Sequence, residues 1–121
     1  MPILFAYSRE TVMAEKLQVL MQLRMLNSRM KDYFDLWLLS RHPELNKATL
    51  RAAIQRTFEN RNTEIETAPI GISVEFGNDS SKQARWRAFL KHSARTQAPE
   101  NLAEVVGEPR AFLEPILAAL T

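Results

Sequence analysis

A chain of 121 residues with sixteen basic and fourteen acidic side chains carries a net charge of +2, too mild to announce a nucleic-acid binder by charge alone. It has no cysteine, which excludes disulfides and thiolate chemistry, and its two histidines, His42 and His92, form no pair at metal-ligand spacing, so no metal site is expected. Residues 1–121 are expected to form one domain, able to bury roughly two thirds of its unfolded surface; with no apolar run of membrane length it reads as a cytoplasmic protein.

Met1–Ala6 is a short apolar run without the charged start of a secretion signal, and it reads as a strand with no partner strand in this chain. Helix formers dominate the rest, with only three glycines. A first helix is predicted from Arg9 to Leu26, capped by Ser8, with Tyr7 and Val12 placed as a hydrophobic staple. Asn27 suits a left-handed closing residue and Ser28 the next N-cap, so a second helix over about 29–40 should follow a tight turn and form an antiparallel hairpin with the first.

His42-Pro43 ends that helix, and Asn46 caps a third in which Leu50, Ala53, Ile54, Thr57 and Phe58 recur at helical spacing as far as about Asn60. Residues 62–78 hold Pro69, Gly71 and Gly77 and read as one irregular loop, with a short strand at GISVEF as the alternative. Ser80 and Gln83 form a capping box that opens a fourth helix with Trp86, Phe89 and Leu90 as its apolar stripe. The last segment, Glu100 to Leu120, contains Gly107, Pro109 and Pro115 and is expected to break or kink. The fold class predicted is all-α, a compact bundle of about five helices.

Some charges fit this plan poorly. On the first helix Thr11, Glu15, Gln18 and Gln22 make a polar stripe, read as the solvent face, and Lys16 falls nearly opposite, among Val12, Val19, Leu20 and Leu23. Its stem then runs along apolar surface, so Lys16 either snorkels out at the domain edge or needs an anion. On the second helix Asp32 sits in the first turn, where the helix dipole favours a carboxylate by about 0.3–1 kcal/mol. Asp35 is too far along for that, and its pairing with Lys31 is worth only a few tenths of a kcal/mol. In a tight hairpin Lys16 lies about 16 Å from the turn and Asp32 about 7 Å, so they share a cleft only through the long side chain or a bridging ligand.

The stretches YSRETVMAEKLQVL and NSRMKDYFDLWLL resemble the C-terminal part of the AbiEii/AbiGii family of nucleotidyltransferase-like toxins of bacterial abortive-infection and toxin–antitoxin systems. A family run of the type T-x-x-A-E-K-L-x-A-L is matched by Thr11, Ala14, Glu15, Lys16, Leu17 and Leu20, and one of the type R-x-K-D-x-Y-D-L by Arg29, Lys31, Asp32, Asp35 and Leu36. The likeness is strongest over residues 7–40 and weaker to the end of the chain. It implies nucleotide binding at Lys16, Arg29 and Lys31, and catalytic or site-organising carboxylates at Asp32 and Asp35. It also implies Mg²⁺ and a nucleoside triphosphate once a complete site is assembled.

The family's Gly-Ser-x-x-Asp loop is not found in this sequence, so the chain is expected to be a truncated or partial transferase, inactive alone, whose partner is the missing catalytic domain or an antitoxin. The competing expectation is a non-catalytic helical interaction module of a toxin–antitoxin or phage-defence system, self-associating through exposed apolar surface. Residues 80–95 carry Lys82, Arg85, Arg87, Lys91 and Arg95 with no acid, whereas 99–121 carry four glutamates against Arg110. The two segments are expected to pack and compensate each other; the alternative is contact with an RNA backbone.

Overall fold

The computed structural model describes residues 8–27, 29–93 and 97–121, and in it short polar side chains start the helices. Ser8 accepts a hydrogen bond from the Thr11 N–H at 3.1 Å and opens α1 (Arg9–Leu23). Asn46 does the same for Thr49 at 2.8 Å and opens α3 (Lys47–Asn60), and Asn101 for Ala103 at 2.9 Å before α6 (Leu102–Leu120). The remaining elements are α2 (Met30–Ser40), α4 (Val74–Asn78), α5 (Ser80–Ser93) and 3₁₀ turns at Arg24–Leu26 and Ile70–Ile72. Among the described residues there are six helices and no strand, so the all-α expectation holds with one helix more than predicted. The expected strand Met1–Ala6, the Tyr7 half of the staple and the Ser28 cap lie outside the described residues.

Buried polar groups align α1 with α3. Near the start of α1, Glu10 accepts a hydrogen bond from the backbone N–H of Asn46 at 2.8 Å. Further along, Gln18 Oε1 accepts from Arg61 Nη1 at 2.9 Å and Gln18 Nε2 donates to Thr63 Oγ1 at 2.9 Å, both just past the end of α3. The two helices therefore run side by side in the same direction. Met13, Leu17, Leu50, Ile54 and Phe58 are buried in their shared core. Gln18, read from the sequence as part of a solvent face, is 1% exposed. α6 packs against α2 and α4.

Several local expectations change. The turn after α1 is not closed by Asn27, which is extended at φ −70°, ψ 125°; the positive φ, 53°, falls on Arg24. Arg24 is held there by an ion pair to Glu66, and Asn27 is buried, its Oδ1 accepting the Arg29 N–H at 3.0 Å. GISVEF is not a strand: Ser73 accepts from the Phe76 N–H at 3.1 Å and starts α4, because a helical turn buries both Ile72 and Phe76 while leaving Val74 exposed. Asp79, not Ser80, caps α5, accepting from Lys82 N–H at 3.0 Å, and Gln83 instead bonds across to Glu100 O and Leu102 N–H, both at 2.8 Å.

The last helix is unbroken from Leu102 to Leu120 although Pro109 and Pro115 lie inside it. Each proline costs about 3 kcal/mol in a helix interior. Full burial of a Leu or Val contributes about 1.5–3 kcal/mol, and Leu102, Val105, Val106, Leu113 and Leu117 are all buried, which outweighs that cost.

Two glycines mark where backbones touch. A Cβ on Gly71 would lie 2.9 Å from the Leu20 carbonyl oxygen, and one on Gly77 would lie 2.8 Å from both Ala103 Cα and Val106 Cγ2. Gly77→Ala therefore forces α4 away from α6, and is expected to cost about 1–3 kcal/mol, read as a lower urea midpoint.

The backbone hydrogen bond from Asn46 holds the Glu10 carboxyl below its usual pKa, against the opposing effect of burial. The stability it adds is present above the ordinary carboxylate pKa and is lost as pH falls through the lower folded value. Glu10→Gln should therefore lower the urea midpoint at neutral pH, with the difference from wild type shrinking as pH falls, so that the acid limb of a plot of midpoint against pH is flatter in the variant.

Candidate functional site

The misplaced charges meet. Asp32 and Asp35, three apart on α2, share one face of that helix and converge on Lys16 of α1. Lys16 Nζ lies 3.0 Å from Asp32 Oδ1 and 3.1 Å from Asp35 Oδ2. Of the two routes expected, the long lysine side chain or a bridging ligand, the side chain makes the contact directly. α1 ends at Leu23 rather than Leu26, so Lys16 is about 10 Å from the helix end at 1.5 Å per residue, and the 3₁₀ turn carries α2 back over that shorter span.

The outer sides of both carboxylates are also occupied. Arg29 Nε is 3.2 Å from Asp32 Oδ2, and Lys31 Nζ is 2.9 Å from Asp35 Oδ2. Side-chain exposure falls inward, from above 60% at Arg29 and Lys31 to 22% at Lys16 and 8% at Asp32. Desolvation pulls the Lys16 pKa down, but the hydrogen bonds and charges of Asp32 and Asp35 more than reverse it, so Lys16 titrates above an ordinary lysine.

Beside this cluster lies an open groove of about 310 Å³, at the low end of the volumes that hold small ligands. Val12 and Val19 are its apolar lining, Glu15 and Asp32 its carboxylates, and Lys16, Arg29 and Arg61 its cations, one each from α1, the start of α2 and the end of α3. Lys31, assigned to nucleotide binding from the sequence, is not in the lining. An ammonium has three N–H donors, and the two aspartates take two, which leaves one for a further acceptor.

A divalent ion does not fit the carboxylate pair as it stands, because the Lys16 ammonium already bridges it and, among the described residues, no group of three or more His, Asp or Glu side chains is placed to hold a metal. A separate cavity of about 110 Å³ between Pro69, Ile72, Val74 and Leu117 shares no residue with the groove.

The cations of the basic segment differ in their settings. Lys82 donates to the Asn27 carbonyl at 2.9 Å and sits 5.3 Å over the Phe76 ring, while Arg85, Arg87 and Lys91 are exposed and Arg95 lies outside the described residues. α5 packs against α6 as expected, but among the described residues no ion pair joins them, and Glu108 instead receives Trp37 Nε1 and Arg41 Nη1 from α2 and its end. Trp86 is fully buried and donates to Pro99 O at 2.9 Å, in keeping with its core spacing.

Arg61 and Gln18 were missed by the sequence reading. Gln18 was assigned to solvent, yet it lies beside Ala14, Leu17 and Met21 on the α1 wheel, which is the core side and the one available signal of its burial. Arg61 follows the end of α3 with no motif around it, and only the parallel packing of α3 on α1 brings it to the groove.

Residues 2–109 of the chain match the family model of the nucleotidyl transferase AbiEii toxin of a type IV toxin–antitoxin system. The chain belongs to the AbiEii family. No curated protein and no solved structure matches it. Membership gives this AbiEii chain a nucleotidyltransferase-like role in a toxin–antitoxin system, with an antitoxin as its counterpart. No helix among the described residues is long and apolar enough to cross a membrane.

Lys16→Met in this AbiEii chain leaves two largely buried carboxylates with only Arg29 and Lys31, and is expected to lower stability by about 1–3 kcal/mol in urea titrations at neutral pH. Because the folded Lys16 pKa is raised, its contribution is complete below the ordinary lysine pKa and disappears as pH rises through the folded value. The difference between wild type and variant should accordingly shrink in strongly alkaline buffer.

Proposed function

We propose that this AbiEii chain forms the helical wall of a nucleotidyltransferase site, on which Lys16 donates to a phosphate oxygen of a nucleoside triphosphate. The observation that carries the reading is the Lys16 ammonium at the groove edge, 3.0 and 3.1 Å from two carboxylates that hold it protonated and aimed. Asp32 and Asp35 then act as positioning residues: they fix Lys16, and Asp32 also fixes Arg29. Lys31 serves Asp35 from outside the groove.

Phosphate binding of this type rests on positioned cations, and a preorganised ammonium loses less side-chain entropy on binding than a free one. The wall binds and orients; no step of nucleotidyl transfer and no metal ion is assigned to it. The Gly-Ser-x-x-Asp loop type that would complete a transferase is not in this sequence.

The reading is tested by calorimetric titration of the 121-residue chain with each nucleoside triphosphate. Lys16→Ala is expected to weaken binding tenfold or more, as loss of one charge-assisted hydrogen bond implies, and Asp32→Asn to weaken it less. Unchanged affinity in a folded Lys16→Ala protein sinks the proposal. Absence of binding together with concentration-dependent self-association would favour an interaction module instead, using the exposed Leu26, Ile70 and Val74.

A further inference from the structure

Gln18 is 1% exposed, yet its amide is fully engaged: Nε2 donates to Gln22 Oε1 at 3.1 Å and to Thr63 Oγ1 at 2.9 Å, while Oε1 accepts from Arg61 Nη1 at 2.9 Å. A buried amide is costly unless satisfied, and here its carbonyl oxygen is spent on the guanidinium of a residue whose side chain is 44% exposed on the groove. Among the described residues Arg61 has one ion-pair partner, Glu15, at 3.9 Å from Nη2, which is too long for a hydrogen bond. Arg61 is thus anchored at one nitrogen, with most of its donor fork left for the groove.

Arg61 is also separate from the Lys16 cluster. Lys16 and Arg29 are neutralised in part by Asp32, whereas the guanidinium of Arg61 enters from the end of α3 on the far side of the α1 stripe formed by Val12, Lys16 and Val19. Two cationic ends with different anchors, in one groove, suit a ligand carrying more than one phosphate better than a single phosphate.

We infer that Arg61, positioned by Gln18, is a second phosphate-binding residue of the groove, so that the groove selects polyphosphate over monophosphate ligands. The inference rests on the reading of Lys16 as a phosphate contact, and it adds a residue that no motif of the sequence carries.

The probes are inorganic phosphate and tripolyphosphate, titrated calorimetrically into the whole chain and into Arg61→Gln, Gln18→Met, the double variant and Lys16→Ala, each checked for native helicity by circular dichroism. Wild type is expected to prefer tripolyphosphate. Arg61→Gln should weaken tripolyphosphate about tenfold or more while leaving phosphate nearly unchanged. Gln18→Met should weaken it less, and should add no further loss once Arg61 is replaced, which a purely structural role for Gln18 would not produce.

Wild-type tripolyphosphate affinity in Arg61→Gln overturns the inference and, if Lys16→Ala still loses binding, leaves the Lys16 reading intact. Loss in Arg61→Gln with none in Lys16→Ala overturns the Lys16 reading and keeps Arg61 as a polyphosphate contact. No binding of either probe to wild type overturns both.

Discussion

A lysine that leaves its helix on the apolar side must be met by anions, and the way Lys16 is met organises this end of the molecule. Its stem runs between Val12 and Val19, so the ammonium emerges between α1 and α2 rather than into open water. Two carboxylates on one face of α2 receive it, and the chain between the helices has to be shaped to bring them there. That explains the early end of α1 at Leu23, the positive φ at Arg24 with its Glu66 partner, and the buried Asn27 that holds the next N–H. Strain at a non-glycine residue of this kind costs on the order of 1–3 kcal/mol, and it is tolerated because the surrounding contacts determine the path.

The second constraint is the parallel alignment of α1 and α3, pinned near one end by Glu10 and further along by Gln18. Neither is a surface contact. Each satisfies a buried polar group that would otherwise carry a desolvation cost of about 1–3 kcal/mol, so alternative registers are penalised by unpaired groups as well as by lost packing. The same alignment delivers Arg61 to the groove. Stability and site geometry are therefore set by the same side chains, and substitutions at Gln18 act on both.

The groove is a mixed electrostatic environment rather than a simple basic patch. Lys16 and Arg29 share Asp32, and only Arg61 holds its charge with a single distant carboxylate nearby. Partial neutralisation limits the attraction for anions at long range while keeping the nearest donors fixed, which suits recognition at contact better than steering through solvent. The cations of α5 are set otherwise: Lys82 donates to the Asn27 carbonyl, while Arg85, Arg87 and Lys91 are exposed.

Helix content, the caps at Ser8 and Asn46, the apolar spacing of α3 and the burial of Trp86 were all legible in the sequence, because each depends on neighbours within one or two turns. The two motifs that carry the family were legible for the same reason, being contiguous. What the chain did with GISVEF, the prolines of α6 and Gln18 was not, because each was decided by burial against a distant element that outweighs local preference by a few kcal/mol. The Lys16, Asp32 and Asp35 cluster stood between these cases: the sequence determined that a cation and two carboxylates lay on the wrong faces, and the crossing of α2 over α1 decided that they answer one another. Arg61 belongs wholly to tertiary structure, since nothing within a helical turn of it specifies the groove, and only the register of α3 on α1 places it there.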